Sequence, residues 1–323
     1  MSTALTAPPV GAVVVGVGPR GSDAALSFAA EEACLALAPL HLVHVLQLSP
    51  AEGFAGVVQG AIEAADACLD AAMSRARELV SGQVPVTGER LDEAWLVADL
   101  AARSAHARLL VLQHRRQSRV ARLVTGSTVA GVAARSSVPV VSIPEDWRGS
   151  APAANVVTVG VQHPDESEAV VRLGIAEARL RGAEVVVLNA WYLEGGYDSV
   201  VADAEYRTER ERQVTEAITP TLDALRDEHP DVQIRLLVRH ALPLGALVEA
   251  GSTSRLLVVG RRHHRLPTGS HLGPVTRGLL QYADGPVLVS PELPRPAPRS
   301  DLMEPAEERL EEVHAGAPAG QSG

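Results

Sequence analysis

Aromatic residues are scarce in this chain: two Phe, four Tyr and three Trp among 323 residues. With so few rings, the core must be filled by small aliphatic side chains. Ala, Val and Leu supply most of the 46% hydrophobic content, a composition that suits sheets covered by helices on both faces. Cysteine is nearly missing too. Cys34 and Cys68 are too few for a disulfide framework, and their places in helical stretches predict small buried hydrophobes. No segment reaches about 18 uninterrupted apolar residues, and the opening MSTALTAPPVGAVVVGV lacks the basic start of a signal peptide. The expectation is a cytoplasmic protein with no membrane association. Basic residues are outnumbered, 29 Lys and Arg against 39 Asp and Glu, for a net charge of −10. That excludes a nucleic-acid surface spread over the whole molecule and leaves room only for local basic patches.

What is present is a repeat. AVVVGV (12–17) leads into GSDAALSFAAEEACLALAPLHLVHVL, and NVVTVGV (155–161) leads into ESEAVVRLGIAEARLRGAEVVVLNAW. Leu26, Ala30, Ala33 and Leu37 match Val171, Ile175, Ala178 and Gly182 at one constant offset of 145. The ends repeat as well: LLVLQ (109–113) and LLVVG (256–260) each precede a basic loop, a helix and a closing strand, SVPVVSIP or DGPVLVSP. A repeat fixes the domain count better than length does.

The first half reads as β1 (11–17), α1 (22–38), β2 (40–46), α2 (58–81), β3 (84–90), α3 (93–105), β4 (108–113), α4 (126–136) and β5 (138–143). The second reads as β6 (155–161), α5 (166–181), β7 (183–190), α6 (199–228), β8 (232–238), α7 (243–253), β9 (255–260), α8 (273–283) and β10 (286–290). Alternating helices and doubly apolar strands require a parallel sheet covered on two sides, twice over. Pro220 falls inside α6 and is expected to kink or end it. The predicted domains are 1–146 and 155–291, with a linker at 147–154 and a disordered tail at 292–323 carrying at most one helix near 303–314.

In doubly wound sheets ligands sit beyond the carboxyl ends of the strands, where the strand order reverses. After β4 a phosphate loop needs glycines, so that backbone N–H groups can close on oxygens, and a helix N-terminus beyond them. Gly126, Ser127 and Thr128 at the start of α4 meet that need, and they also fit an ordinary helix cap.

The order of elements and the spacing from β4 through α4 to β5 resemble the universal stress protein family in its tandem form, over nearly all of 10–291. The run GVGPRGSDAALSFAAEEACLALAPLHLVHVL resembles the actinobacterial branch. The resemblance implies an α/β fold of two tandem doubly wound five-stranded parallel sheets, of the universal stress protein and adenine-nucleotide α-hydrolase-like type. Strand order 3-2-1-4-5 is expected in each half, with the halves paired through their last strands as an intramolecular pseudo-dimer, and a homodimer of the whole chain is compatible with it. ATP-binding members carry Gly-x2-Gly-x9-Gly-Ser/Thr between the fourth strand and the helix after it, and an Asp ending the first strand. Here that pattern falls on Gln113, Arg116, Gly126 and Ser127 in the first half, and on Gly260, His263, Gly273 and Pro274 in the second, with Thr276 matching a further hydroxyl. The Asp position holds Gly18 and Gln162, and the backbone contact to adenine maps near Val45 and Ala190.

Positive loops replace the lost glycines. His114-Arg115-Arg116-Gln117-Ser118-Arg119 and Arg261-Arg262-His263-His264-Arg265 lie before the two helices. Arg115, Arg116 and Arg262 are the candidate anion ligands, because a guanidinium fork matches phosphate or carboxylate. The alternative is a solvated loop, or one pairing with acidic neighbours across the two halves. His263 and His264 are adjacent and point apart, which does not build a metal site. His44 and His106 read as packing or surface residues, Trp191-Tyr192 as a rim contact to the other half, with stacking on a base at the mouth of the second cleft as the alternative, and the mixed charges from Glu205 to Glu216 as a solvated helix face. No catalytic constellation is present. The expected protein is a stress-response protein with degenerate sites, binding ATP or AMP weakly, or another small anion, requiring no cofactor and acting through protein partners. A nucleotide-independent interaction protein is the alternative, and a nucleotide hydrolase the third reading.

Overall fold

The computed structural model describes residues 7–46, 55–92, 95–114, 128–149, 155–162, 167–193, 198, 202–261 and 272–291. The first half runs β1 (Val13–Val17), α1 (Asp23–Ala36), β2 (Leu40–Val45), α2 (Ala55–Val80), β3 (Val86–Leu91), α3 (Leu96–Arg103), β4 (Leu109–His114), α4 (Thr128–Ala133) and β5 (Val140–Pro144). The second runs β6 (Val156–Gly160), α5 (Ser167–Arg181), β7 (Glu184–Trp191), α6 (Ala204–Glu228), β8 (Ile234–His240), α7 (Pro243–Thr253), β9 (Leu256–Val259), α8 (Pro274–Tyr282) and β10 (Val287–Val289).

The strands join in one ten-stranded sheet, β3-β2-β1-β4-β5-β10-β9-β6-β7-β8. Each half keeps the 3-2-1-4-5 order with parallel pairing. The halves meet where β5 and β10 pair antiparallel, Val140 opposite Val289 and Ser142 opposite Val287. Each closing strand would otherwise be an open edge of unpaired backbone groups, and pairing the two removes both edges at once.

Strands buried on both faces need helices on both sides. One core lies under α1, α2, α5 and α6, with Leu26, Ile175, Ile218 and Leu222 almost fully enclosed. The other lies under α3, α4, α7 and α8 around Val132, Leu257 and Leu279. Phe28 and Trp147, two of the few rings, pack edge to face with centroids 5.8 Å apart. Cys34 and Cys68 are free thiols and only half-buried, and burial raises both pKa values. Helix α6 does not end at Pro220 but runs through it to Glu228. The tail from 292, with its expected helix, lies outside the described residues.

Candidate functional site

The order reverses between β1 and β4 in the first half and between β6 and β9 in the second. At the first reversal Gln113, next to last in β4, sends its side chain across to α1. Its Oε1 accepts from the backbone N–H groups of Ala24 and Ala25 at 3.2 and 3.3 Å. These are orphan donors of the first helical turn. Ser22, the N-cap residue, does not cap them; its Oγ accepts instead from the N–H of Gly18 at 2.9 Å. A residue 88 positions away along the chain therefore caps α1, and its side chain spans the crevice a ligand would enter.

At the second reversal the equivalent position is Gly260, with no side chain to cross. A Cβ there would meet Val170 Cγ2 of α5 at 3.1 Å, so close packing also favours glycine. Gly273 is the N-cap of α8 and Pro274 its first residue, which supplies no N–H. Thr276 is buried, and its Oγ1 donates to the carbonyl of Gly260 at 3.3 Å. The three second-half residues Gly260, Gly273 and Thr276 thus lie around one corner. Thr128 is the first residue of α4 and half-buried. Arg115, Arg116, Gly126, Ser127, Arg262 and His263 lie outside the described residues.

Two residues read as parts of positive loops have other work. His114 closes β4, buried, with Nδ1 2.8 Å from Ser142 Oγ on β5. Arg261 reaches across the seam, where its Nη1 donates to the carbonyls of Ala133 and Ser136, each at 3.2 Å. A cation at a helix C-terminus complements the helix dipole, so this guanidinium holds the end of α4 in the opposite half.

The profile of the universal stress protein family matches residues 10–144 and again 154–291. The chain belongs to the universal stress protein family. A universal stress protein of Mycobacterium tuberculosis is 31% identical over 208 residues, 64% of this chain. The chain spans 65% of that relative's length. A universal stress protein of Mycolicibacterium smegmatis is 27% identical over 284 residues, covering 86% of this chain and 96% of the relative. A universal stress protein structure from Archaeoglobus fulgidus superposes with a TM-score of 0.59 at 14% identity, covering 86% of this chain and 96% of that one, and shows the shared fold.

In this universal stress protein the Trp191-Tyr192 expectation is corrected. Strand β7 lies away from the seam, and Trp191 packs on His240 (4.4 Å between centroids) and Tyr206 (6.1 Å), both in its own half. His240 Nε2 is 2.7 Å from Asp198 Oδ1. Burial opposes ionisation of Asp198, but hydrogen bonds from His240 and the Leu193 amide outweigh it and lower the pKa. His44 is buried with Nδ1 2.9 Å from the Val17 carbonyl, while His106 is exposed, as their positions suggested. Exposed Arg212 pairs with Glu209 and Glu216, as expected of a solvated face. Among the described residues no His, Cys, Asp and Glu group could hold a metal, and no helix is long and apolar enough to cross a membrane.

Proposed function

We propose that this universal stress protein is a cytoplasmic stress-response protein with one working site. Its first-half crevice is closed by Gln113, and its second half binds an adenine nucleotide weakly, or another small oxyanion. It acts through protein partners rather than by catalysis. The observation that carries this reading is the contrast between Gln113 Oε1 on the α1 amides and the bare backbone at Gly260. Weak binding follows from two features of the second corner: Pro274 removes one amide from the helix N-terminus, and the Thr276 hydroxyl proton is already engaged by Gly260.

Those two features also favour the alternative, an interaction protein indifferent to nucleotides. Calorimetric titration with ATP, AMP and a cyclic nucleotide at physiological salt separates the two. The sensor reading expects saturable binding that is lost in Gly260→Gln, which reproduces the first half's obstruction, with melting curves confirming that the variant folds. Unchanged affinity in folded Gly260→Gln overturns the assignment to the second half. No heat from any nucleotide supports the interaction protein.

A further inference from the structure

Asn189 and His44 occupy the same place in the two halves, on the second strand of each and 145 residues apart. His44 supports the end of β1 through the Val17 carbonyl. Asn189 does the same for β6, with Nδ2 donating to the carbonyls of Val161 and Gln162 at 3.1 and 3.3 Å. Two carbonyls can only accept, so the amide nitrogen must face them, and this fixes Oδ1 as an acceptor turned elsewhere. Oδ1 is buried and meets no donor among the described residues, in a residue 4% exposed. Leaving a buried acceptor unmatched sacrifices about as much as a lost hydrogen bond, and such a group calls for a reason. Holding the strand end is not the reason, since the histidine of the first half does that without it.

The location supplies one. Asn189 lies at the carboxyl ends of β6 and β7, one residue beneath exposed Gln162, with β6 alone between its strand and β9, which Gly260 follows. This is the end of the sheet where a doubly wound fold takes its ligand.

We infer that Asn189 is a specificity-determining residue, its Oδ1 accepting a hydrogen bond from an N–H or O–H donor on the nucleoside part of the ligand. The inference rests on the proposed second-half site and names what that site recognises. The donor meant is the N6 amine of the base or the 2′-hydroxyl of the sugar, and analogues lacking each tell them apart.

The test is Asn189→His, which installs the first half's solution: a ring N–H keeps the donor to Val161, and the amide acceptor Oδ1 is lost, the ring's remaining lone pair on Nε2 being displaced from its position. The wild type and the variant are titrated with adenosine, inosine and 2′-deoxyadenosine. The expected result is adenosine binding weakened about tenfold in the variant, the worth of one hydrogen bond. One of the two analogues should be impaired to a similar degree in the wild type and show no further loss in the variant. Adenosine binding that is equal in wild type and variant overturns the role of Asn189 while leaving the site in place. A wild type that binds ATP and AMP but is indifferent to both analogues also overturns it, and this arm holds even if the variant does not fold. A wild type that binds no nucleoside or nucleotide overturns the second-half site itself.

Discussion

Glu32 and Arg181 stand 149 positions apart in the sequence and form an ion pair buried between the two halves. Glu32 on α1 and Glu177 on α5 are equivalent in the repeat, so helix packing across the seam brings two like charges together. Arg181 and Arg108 make the arrangement tolerable. Arg108 bridges Glu177 at 2.8 Å and Glu32 at 3.2 Å, and Arg181 holds Glu177 at 2.6 Å as well as Glu32. Each carboxylate therefore has two guanidinium partners.

Removing one cation leaves carboxylates buried without compensation, which costs more than an intact buried pair contributes. Arg181→Met is expected to destabilise the protein by about 3–5 kcal/mol in urea unfolding. Replacing Glu32, Glu177, Arg181 and Arg108 together by apolar residues of similar volume is expected to restore most of that loss. A single variant within about 1 kcal/mol of wild type would mean that solvent reaches the quartet.

The same quartet sets a pH dependence. Burial, and then the charge of Glu32, raise the pKa of Glu177 above its ordinary 4.5 in the folded state, against the pull of both arginines. The folded protein thus holds this proton more firmly than the unfolded chain. The stability Glu177 contributes is present below pH 4.5 and is lost as pH rises through the raised value. Glu177→Gln is expected to remove that downward slope, whatever its constant offset. Urea midpoints measured across a pH series give the slope directly, and parallel curves for wild type and variant would reject the assignment.

The repeat made most of the architecture legible, because a constant offset aligned strand with strand, while the pairing of the two closing strands at the seam came from the family resemblance. The quartet was not legible. Glu31 is exposed and Glu32 buried, yet nothing in AAEEAC tells the two apart, and the partners of Glu32 lie 76 and 149 residues away. Gln113 was hidden for the same reason: an amide after an apolar strand carries no sign that it will cap a helix 88 residues earlier. The candidate site was half legible. Gly260, Gly273 and Thr276 converge, whereas Arg261 and His114 looked like loop cations because sequence shows that a charge is present but not what it bonds to.

His41 gives a second pH response of the opposite sign. Its ring is fully buried on β2, with Nδ1 2.8 Å from Thr87 Oγ1 and Nε2 3.3 Å from Glu89 Oε1. Glu89 in turn receives Arg103 Nε at 2.7 Å. Burial lowers the pKa of His41 below 6.5, more than the neighbouring Glu89 raises it. In the neutral ring the proton sits on Nε2, since a carboxylate only accepts, and Nδ1 accepts from the threonine. The unfolded chain then binds the proton more readily, so this contribution is present above pH 6.5 and is lost as pH falls through the lowered value. His41→Gln should flatten stability on the acid side of about pH 6.5. The titration of the His41 ring, followed by NMR, should show a midpoint below the ordinary histidine range, and a midpoint above it would reverse the sign.

The cap on α1 can be separated from any role in binding. Gln113→Ala leaves the N–H groups of Ala24 and Ala25 without their acceptor, and losing a helix cap costs about 1 kcal/mol. Thermal unfolding should therefore shift downward. On the proposed function, nucleotide affinity at the second-half site should not change, because the side chain removed lies in the other half. If affinity instead rises, with a second equivalent of nucleotide taken up, the first crevice was a competent site held closed by Gln113, and the division of labour between the halves rests on that one side chain.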